Sequence, residues 1–192
     1  MSLIWALLII VILGLVYLIS TYNRLISLKQ NTLNAWTQID IQLKRRYDLI
    51  PNLVETVKAY MKHEQDTFEK VIEARNKALS ATSIHDKAAA EQEVSGALNK
   101  IFALSEAYPE LRSNENMLSL QEELKSTENK IAFSRQYYND IVTLYNTKLQ
   151  TFPTSILASS GNFQPRELFE LEEQAARKAV QVKFDESPKS LP

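Results

Sequence analysis

A chain of 192 residues without cysteine carries no thiolate metal site, no cysteine nucleophile and no lipid-modified N-terminal cysteine. Its 22 Lys and Arg balance 23 Asp and Glu to a net charge of −1, with both signs interspersed, which argues against a dedicated nucleic-acid surface. Only three glycines, against many Leu, Ala, Glu, Lys and Gln, point to an all-α protein of one domain plus an anchor.

The anchor comes first. Leu3 to Ile19 is an apolar run without a charge. At 1.5 Å per residue it covers about 26 Å, close to the thickness of a hydrocarbon core. Trp5 at one end, with Tyr17 and Tyr22 at the other, suits interfacial anchoring by aromatic rings. No Lys or Arg precedes the run and no small-x-small cleavage site follows it, so a retained transmembrane anchor over 1–21 is favoured over a cleaved signal. Arg24 and Lys29 lie on the C-terminal flank, which places the body in the cytoplasm and the N-terminus outside.

Nothing between Ser20 and Ile50 breaks a helix. Apolar or aromatic residues recur at Leu25, Leu28, Trp36, Ile39, Leu43, Tyr47, Ile50 and Val54, with Thr32 filling one slot. These steps of 3, 4 and 4 make an 11-residue period that needs little supercoiling, and they predict a buried Trp36. The stripe continues through Val57, Met61, Phe68 and Ile72. Pro51 has no loop residues around it, which predicts a kink and a helix running on to about Leu79.

Ser80 to His85 reads as the first turn, with Ser83 and Asp86 spaced as a capping box. A second helix is expected over about Asp86 to Ala107, and Pro109 stops or bends it. A third helix, capped by Ser113, should reach about Gln150. Phe152-Pro153 ends it. A loop to Pro165 and a short fourth helix over Glu167 to Val180 follow, with the bundle spanning 22–180 and a flexible tail over 181–192.

These lengths favour a long bent hairpin, in which the second and third helices fold back along the first about a turn centred near residue 82. Pro51 would then face residue 114, Tyr22 residue 143 and Gln150 residue 15. A shorter up-and-down bundle with a true reversal at one of the prolines is the alternative. Either is an elongated antiparallel bundle of three long helices plus a short fourth, continuous with the membrane helix.

The run AWTQIDIQLKRRYDLIPNLVE from Ala35 to Glu55 resembles the signature of the LemA family. The likeness extends through Ala74 to Asn76, Glu106 to Pro109, Leu120 to Asn129, Ile131 to Asn139, Tyr145-Asn146 and Phe152-Pro153. It covers about Tyr22 to Phe163. It implies a bacterial protein with an N-terminal anchor in the plasma (inner) membrane, a helical-bundle body inside and no assigned enzymatic activity, hence no catalytic residues.

His63-Glu64 begins like a zincin motif, but Thr67 stands where the second His belongs. No Glu-x-x-His pair is present, and the glycine count excludes a phosphate-cradling loop. The expected cofactor and metal complement is therefore none. Lys44-Arg45-Arg46 reads better as a solvated face beside core Leu43 and Tyr47 than as a lipid-headgroup or nucleic-acid patch, and an ordered salt bridge with Asp40 or Asp48 fits equally well.

More informative are polar residues near the stripes. Glu128 with Arg135, Asn139 with Asn146 and Tyr138 with Tyr145 each lie seven apart, and Tyr22-Asn23 would join them near the membrane. They suggest an interhelical polar network that fixes register, or a ligand pocket. Phe152, Ile156, Leu157 and Phe163 lie in an uncharged stretch and suggest either contact with the membrane interface or a cap on the open end of the bundle.

The preferred function is a non-enzymatic, membrane-anchored helical scaffold or adaptor that binds lipid through its first helix and another protein or itself through its body. A membrane-binding or membrane-remodelling protein comes second, and would need a continuous basic face. An enzyme with an unrecognised site comes third.

Overall fold

A computed structural model of the protein describes residues 2–170, and within them the fold is all-α: α1 (Ser2–Lys58), α2 (Gln65–Ser80), α3 (Ile84–Ser105), α4 (Pro109–Arg112), α5 (Glu115–Gln150) and α6 (Thr154–Ser160). A long apolar N-terminal helix leads without interruption into a helical bundle.

The 57 residues of α1 make a rod about 85 Å long. Every residue from Leu3 to Ile19 is exposed, and this part of α1 is long and apolar enough to cross a membrane, with an 18-residue window of mean hydropathy 2.9. Beyond it the 3-4-4 stripe is the buried face. Leu25, Leu28, Thr32, Ile39, Leu43, Tyr47, Ile50 and Val54 are all buried, while Trp36 is half-buried. The Trp36 ring packs edge-on against Tyr138 and Phe169, with centroids 5.4 and 5.6 Å away. Trp36→Ala is expected to cost about 2–3 kcal/mol, below the figure for a fully buried indole, measured as a shift in denaturation midpoint.

Pro51 sits inside α1 without ending it. Lacking an N–H, it leaves the carbonyl of Tyr47, four residues earlier, without its helical donor. Arg75 of α2 fills the gap: its Nε donates to Tyr47 O at 2.7 Å. The proline thus creates the acceptor that docks a second helix. Arg75→Met should cost about 2 kcal/mol by stranding that acceptor. In a double-mutant cycle the loss should shrink when Pro51→Ala restores the local donor; strict additivity would sink the link.

The helix does not run on to Leu79. It reverses at residues 59–64, where the backbone N–H groups of Tyr60 and Met61 both fold back onto Val57 O. No glycine or proline marks this turn. It is held by tertiary contacts: Met61 is fully buried, and Asn114 donates to the Tyr60 hydroxyl at 3.0 Å. The long bent hairpin is therefore replaced by an up-down-up-down bundle.

α2 returns along α1, bringing Arg75 to Tyr47. The Ser83 side chain accepts from Asp86 N and starts α3, as its spacing predicts. α3 then runs parallel to α1, since Lys87 meets Asp40 and Glu91 meets Arg46. Buried Leu111 pins the connection at α4. The cap of α5 is Asn114, which accepts from Met117 N, in place of Ser113.

α5 packs antiparallel to α1 along most of its length. Facing pairs such as Tyr60 with Asn114, Arg46 with Glu128 and Trp36 with Tyr138 have residue numbers that add to 174. That register sets Gln150 level with about residue 24 of α1, where the hairpin expectation had residue 15. Tyr22 correspondingly lies beyond the end of α5, and residue 143 is not its neighbour.

The α2–α3 hairpin covers α1 only as far as Trp36, over whose ring the Lys87 ammonium sits at 5.7 Å. Nearer the apolar N-terminal run, α6 packs on α1 and α5 through a second small core of Leu25, Leu28, Tyr145, Ala158 and Phe163. After it, residues 163–170 run back along the bundle without helical structure. The expected helix over Glu167 to Val180 is absent from 167–170, and its remainder, like the 181–192 tail, lies outside the described residues.

Candidate functional site

Two polar constellations and one apolar one stand out. The first sits mid-body among α1, α3 and α5. Arg46 was expected on a solvated face; it is 3% exposed. Its Nη1 lies 3.1 Å from Glu91 Oε2 and 2.9 Å from Glu128 Oε2, and its Nη2 donates to Ser95 Oγ at 2.8 Å. The neighbouring Tyr47 hydroxyl donates to the other oxygen of Glu91. A buried arginine is tolerated because its charge and its donors meet acceptors from two further helices. Arg45, beside it, does point outward, where it pairs with Glu123 at 2.7 Å.

Burial pushes the Glu91 carboxyl above its ordinary value; the Tyr47 hydrogen bond and the Arg46 charge pull the other way without cancelling it. Burial, with Glu91 alongside, likewise holds the Tyr47 phenol well above the usual tyrosine range. A cavity of about 290 Å³ between α3 and α5 reaches Arg46, with Asn99 and Asn129 on its wall. The guanidinium facing it is already engaged by Glu91, Glu128 and Ser95.

The second constellation is a clasp. Asn139 Nδ2 donates to Phe169 O at 3.3 Å, while Phe169 N donates to Asn139 Oδ1 at 2.8 Å. One heptad on, Asn146 Nδ2 donates to Arg166 O at 2.8 Å and accepts from Arg166 N at 2.9 Å. Each carboxamide therefore pairs with both backbone groups of one residue, as a neighbouring strand would. The Tyr138 hydroxyl adds a bond to Glu167 O at 2.9 Å, and Arg135 lies over the Phe169 ring at 5.7 Å.

The expected residues thus divide. Tyr138, Asn139, Asn146 and Arg135 come together on the returning segment 166–169, whose backbone no sequence pattern marked as their partner. Glu128 belongs to the Arg46 cluster. Tyr145 is buried among Leu25 and Leu28, burial raises its phenol, and its hydroxyl has no hydrogen-bond partner among the described residues. Tyr22 meets Phe163 edge-on at 5.7 Å, and Asn23 is exposed. Sequence reasoning missed Glu91 and Ser95 altogether. A glutamate in an Ala-rich helix face carries no signal of burial until its arginine is known.

The third constellation is the stretch after α5. Phe163 is buried against Tyr22 and Leu25, and Leu157 is half-buried. Phe152 and Ile156 face outward, 76% and 61% exposed. Gly161 allows the fold-back, because a Cβ there would lie 2.6 Å from the Phe163 ring. Gly161→Ala should displace Phe163 and cost about 1–3 kcal/mol, with loss of the Tyr22 ring contact as its spectroscopic mark.

At the far tip, a groove of about 890 Å³ opens between the end of α1 and α2, with an apolar floor of Val54, Met61, Phe68 and Ile72 and a polar rim that includes Lys58, Lys62, Glu69 and Glu73. Among the described residues no three His, Asp or Glu side chains are grouped to hold a metal ion.

Comparison with known proteins places this architecture. The LemA family model matches residues 35–184. Protein LemA of Metamycoplasma hominis is 26% identical over 155 residues, covering 79% of this chain and 69% of that protein. Magnetosome proteins MamQ 1 and MamQ 2 of Paramagnetospirillum magneticum are each 22% identical over 195 residues, covering 86% of this chain and 72% of theirs.

Proposed function

Because the chain belongs to the LemA family, we propose that it acts as a non-enzymatic scaffold, anchored in a bacterial plasma membrane by the apolar half of α1 and carrying a helical body on the cytoplasmic side. The observation that carries this reading is the continuity of α1. One helix passes from a wholly exposed apolar run into the centre of a packed core, so the body is rigidly coupled to whatever holds the run. Arg24 and Lys29 on the body side of the run support the orientation.

The surface supports a protein-binding role. Phe133 and Tyr137 are exposed on the side of α5 away from the clasp, and exposed Ile41 of α1 lies at the same level along the bundle. The buried titratable groups Arg46, Glu91 and Tyr47 bond to one another, which favours structure over chemistry as their role.

Two experiments test the proposal. A reporter fused after Pro192 is expected to show cytoplasmic behaviour; periplasmic activity overturns the orientation. A photo-cross-linking residue at Phe133 or Tyr137, in the full-length chain in its own membranes, is expected to give discrete protein adducts. One of twice the chain's mass would identify a second copy as the partner. Absence of adducts at both positions overturns the scaffold.

A further inference from the structure

We propose that α6 with the preceding Phe152 is a membrane-interface wedge, inserting Phe152 and Ile156 into the boundary between headgroups and acyl chains beside the point where α1 leaves the bilayer. The inference rests on the anchoring of α1 proposed above.

Position is the first argument. The α1–α5 register sets Gln150 level with about residue 24, and Phe152 follows it by two residues. The apolar run of α1 ends at Ile19, and one helical turn advances about 5 Å. Phe152 therefore lies within roughly one turn of the end of that run, at headgroup depth when the run is in lipid.

Attachment is the second. α6 is bolted to the exit of α1 by Ala158 and Phe163 packing on Leu25, Leu28 and Tyr145, and by the Tyr22–Phe163 ring contact. The Lys29 ammonium over the Phe163 ring, at 5.9 Å, adds a headgroup-compatible cation at the same level. A rigid mount keeps the exposed side chains at a fixed depth.

Chemistry is the third. From Leu149 to Pro165 the chain has no charged residue, in a protein otherwise studded with them. Two large apolar side chains four apart, with Ser159 and Ser160 continuing their face, project from this uncharged patch while Phe163 and Ala158 fill the core beneath. The two expectations for this stretch are thus divided between its residues: Phe163 and Ala158 serve as the cap, and Phe152 and Ile156 remain for an outer phase. An interfacial lipid layer satisfies aromatic and aliphatic groups on a polar, uncharged backbone better than water does.

The absence of cysteine makes the test clean. Full-length single-cysteine variants Leu8→Cys, Ser159→Cys and Leu118→Cys are labelled with a polarity-sensitive fluorophore. They are reconstituted in phosphatidylcholine–phosphatidylglycerol vesicles that carry lipid quenchers at shallow or deep positions. Expected are deep quenching at Leu8, shallow quenching with a blue-shifted emission at Ser159, and water-like emission without quenching at Leu118 on the distal half of α5. Adding Phe152→Ser and Ile156→Ser, both at exposed positions, to the Ser159→Cys variant is expected to remove at least half of the shallow quenching. Water-like emission at Ser159 with Leu8 still quenched overturns the wedge and leaves the anchor standing. Loss of quenching at Leu8 as well overturns the anchor itself. Shallow quenching that persists in the double serine variant overturns the assignment to Phe152 and Ile156.

Discussion

Arg46→Ala is expected to destabilise the body by about 3–5 kcal/mol, the usual cost of removing one partner from a buried ion pair. The variant leaves Glu91 inside the bundle with the Tyr47 hydroxyl as its remaining hydrogen-bond donor among the described residues, and leaves Ser95 without the Arg46 donor. Glu91→Gln keeps an acceptor for Tyr47 and removes the charge, so it should cost less, about 1–2 kcal/mol. The double variant Arg46→Met with Glu91→Leu replaces the pair with apolar volume and should recover most of the loss. Denaturant titration of full-length protein in mild detergent reads all three. An unchanged midpoint for Arg46→Ala would mean that the guanidinium reaches water.

The same cluster has a pH signature. Burial raises the Glu91 carboxyl above its ordinary value near 4.5, so the folded state binds this proton more tightly than the unfolded chain does. Its contribution is fully present below about pH 4.5 and declines as pH rises through the folded-state value. The stability of the native protein relative to Glu91→Gln should therefore fall with rising pH across that window. A difference that grows with pH would show that the Arg46 charge outweighs burial.

Asn139→Ala combined with Asn146→Ala should cost about 4 kcal/mol, near 1 kcal/mol for each of the four backbone hydrogen bonds lost. The effect should be local before it is global. Hydrogen exchange at the Arg166 and Phe169 amides should accelerate strongly, while amides in the middle of α3 keep their protection. Because both carboxamides hold one returning segment, the single variants should each cost about 2 kcal/mol or less, the first bond pair lost being partly covered by the second. Undisturbed exchange at Arg166 and Phe169 in the double variant would contradict the clasp.

What could be read from the sequence follows from which forces are local. The apolar stripe from Leu25 to Val54 is a property of one helix face, and its period identifies most of the buried side chains of α1, although Trp36 on it is half-buried and Ala35, Arg46, Leu49 and Leu53 are buried beside it. The reversal at residues 59–64 is invisible because nothing local causes it. Met61 continues the phase of the stripe through the turn, since α2 faces the same core as α1, and the expected residue Phe68 is buried on both accounts. Pro51, the obvious breaker, breaks nothing because Arg75 supplies the donor it withholds. Asn139 and Asn146 are legible as one polar face, but their partners are backbone groups of a segment without pattern. Arg46 beside exposed Lys44 and Arg45 looks like part of a charge run; only acceptors 45 and 82 positions away, Glu91 and Glu128, distinguish it.

The unbroken passage of α1 through Pro51 also has a mechanical meaning. On the anchoring proposed above, the helix from Ser20 to Lys58 would be a lever arm of about 57 Å pivoting in the bilayer. Spanning helices adjust their tilt to the thickness of the surrounding lipid, over tens of degrees. A 10° change at the pivot would sweep the far tip, with its groove beside Met61 and Phe68, sideways by about 10 Å. Bilayer thickness would thereby be converted into the distance between that groove and anything fixed beside it.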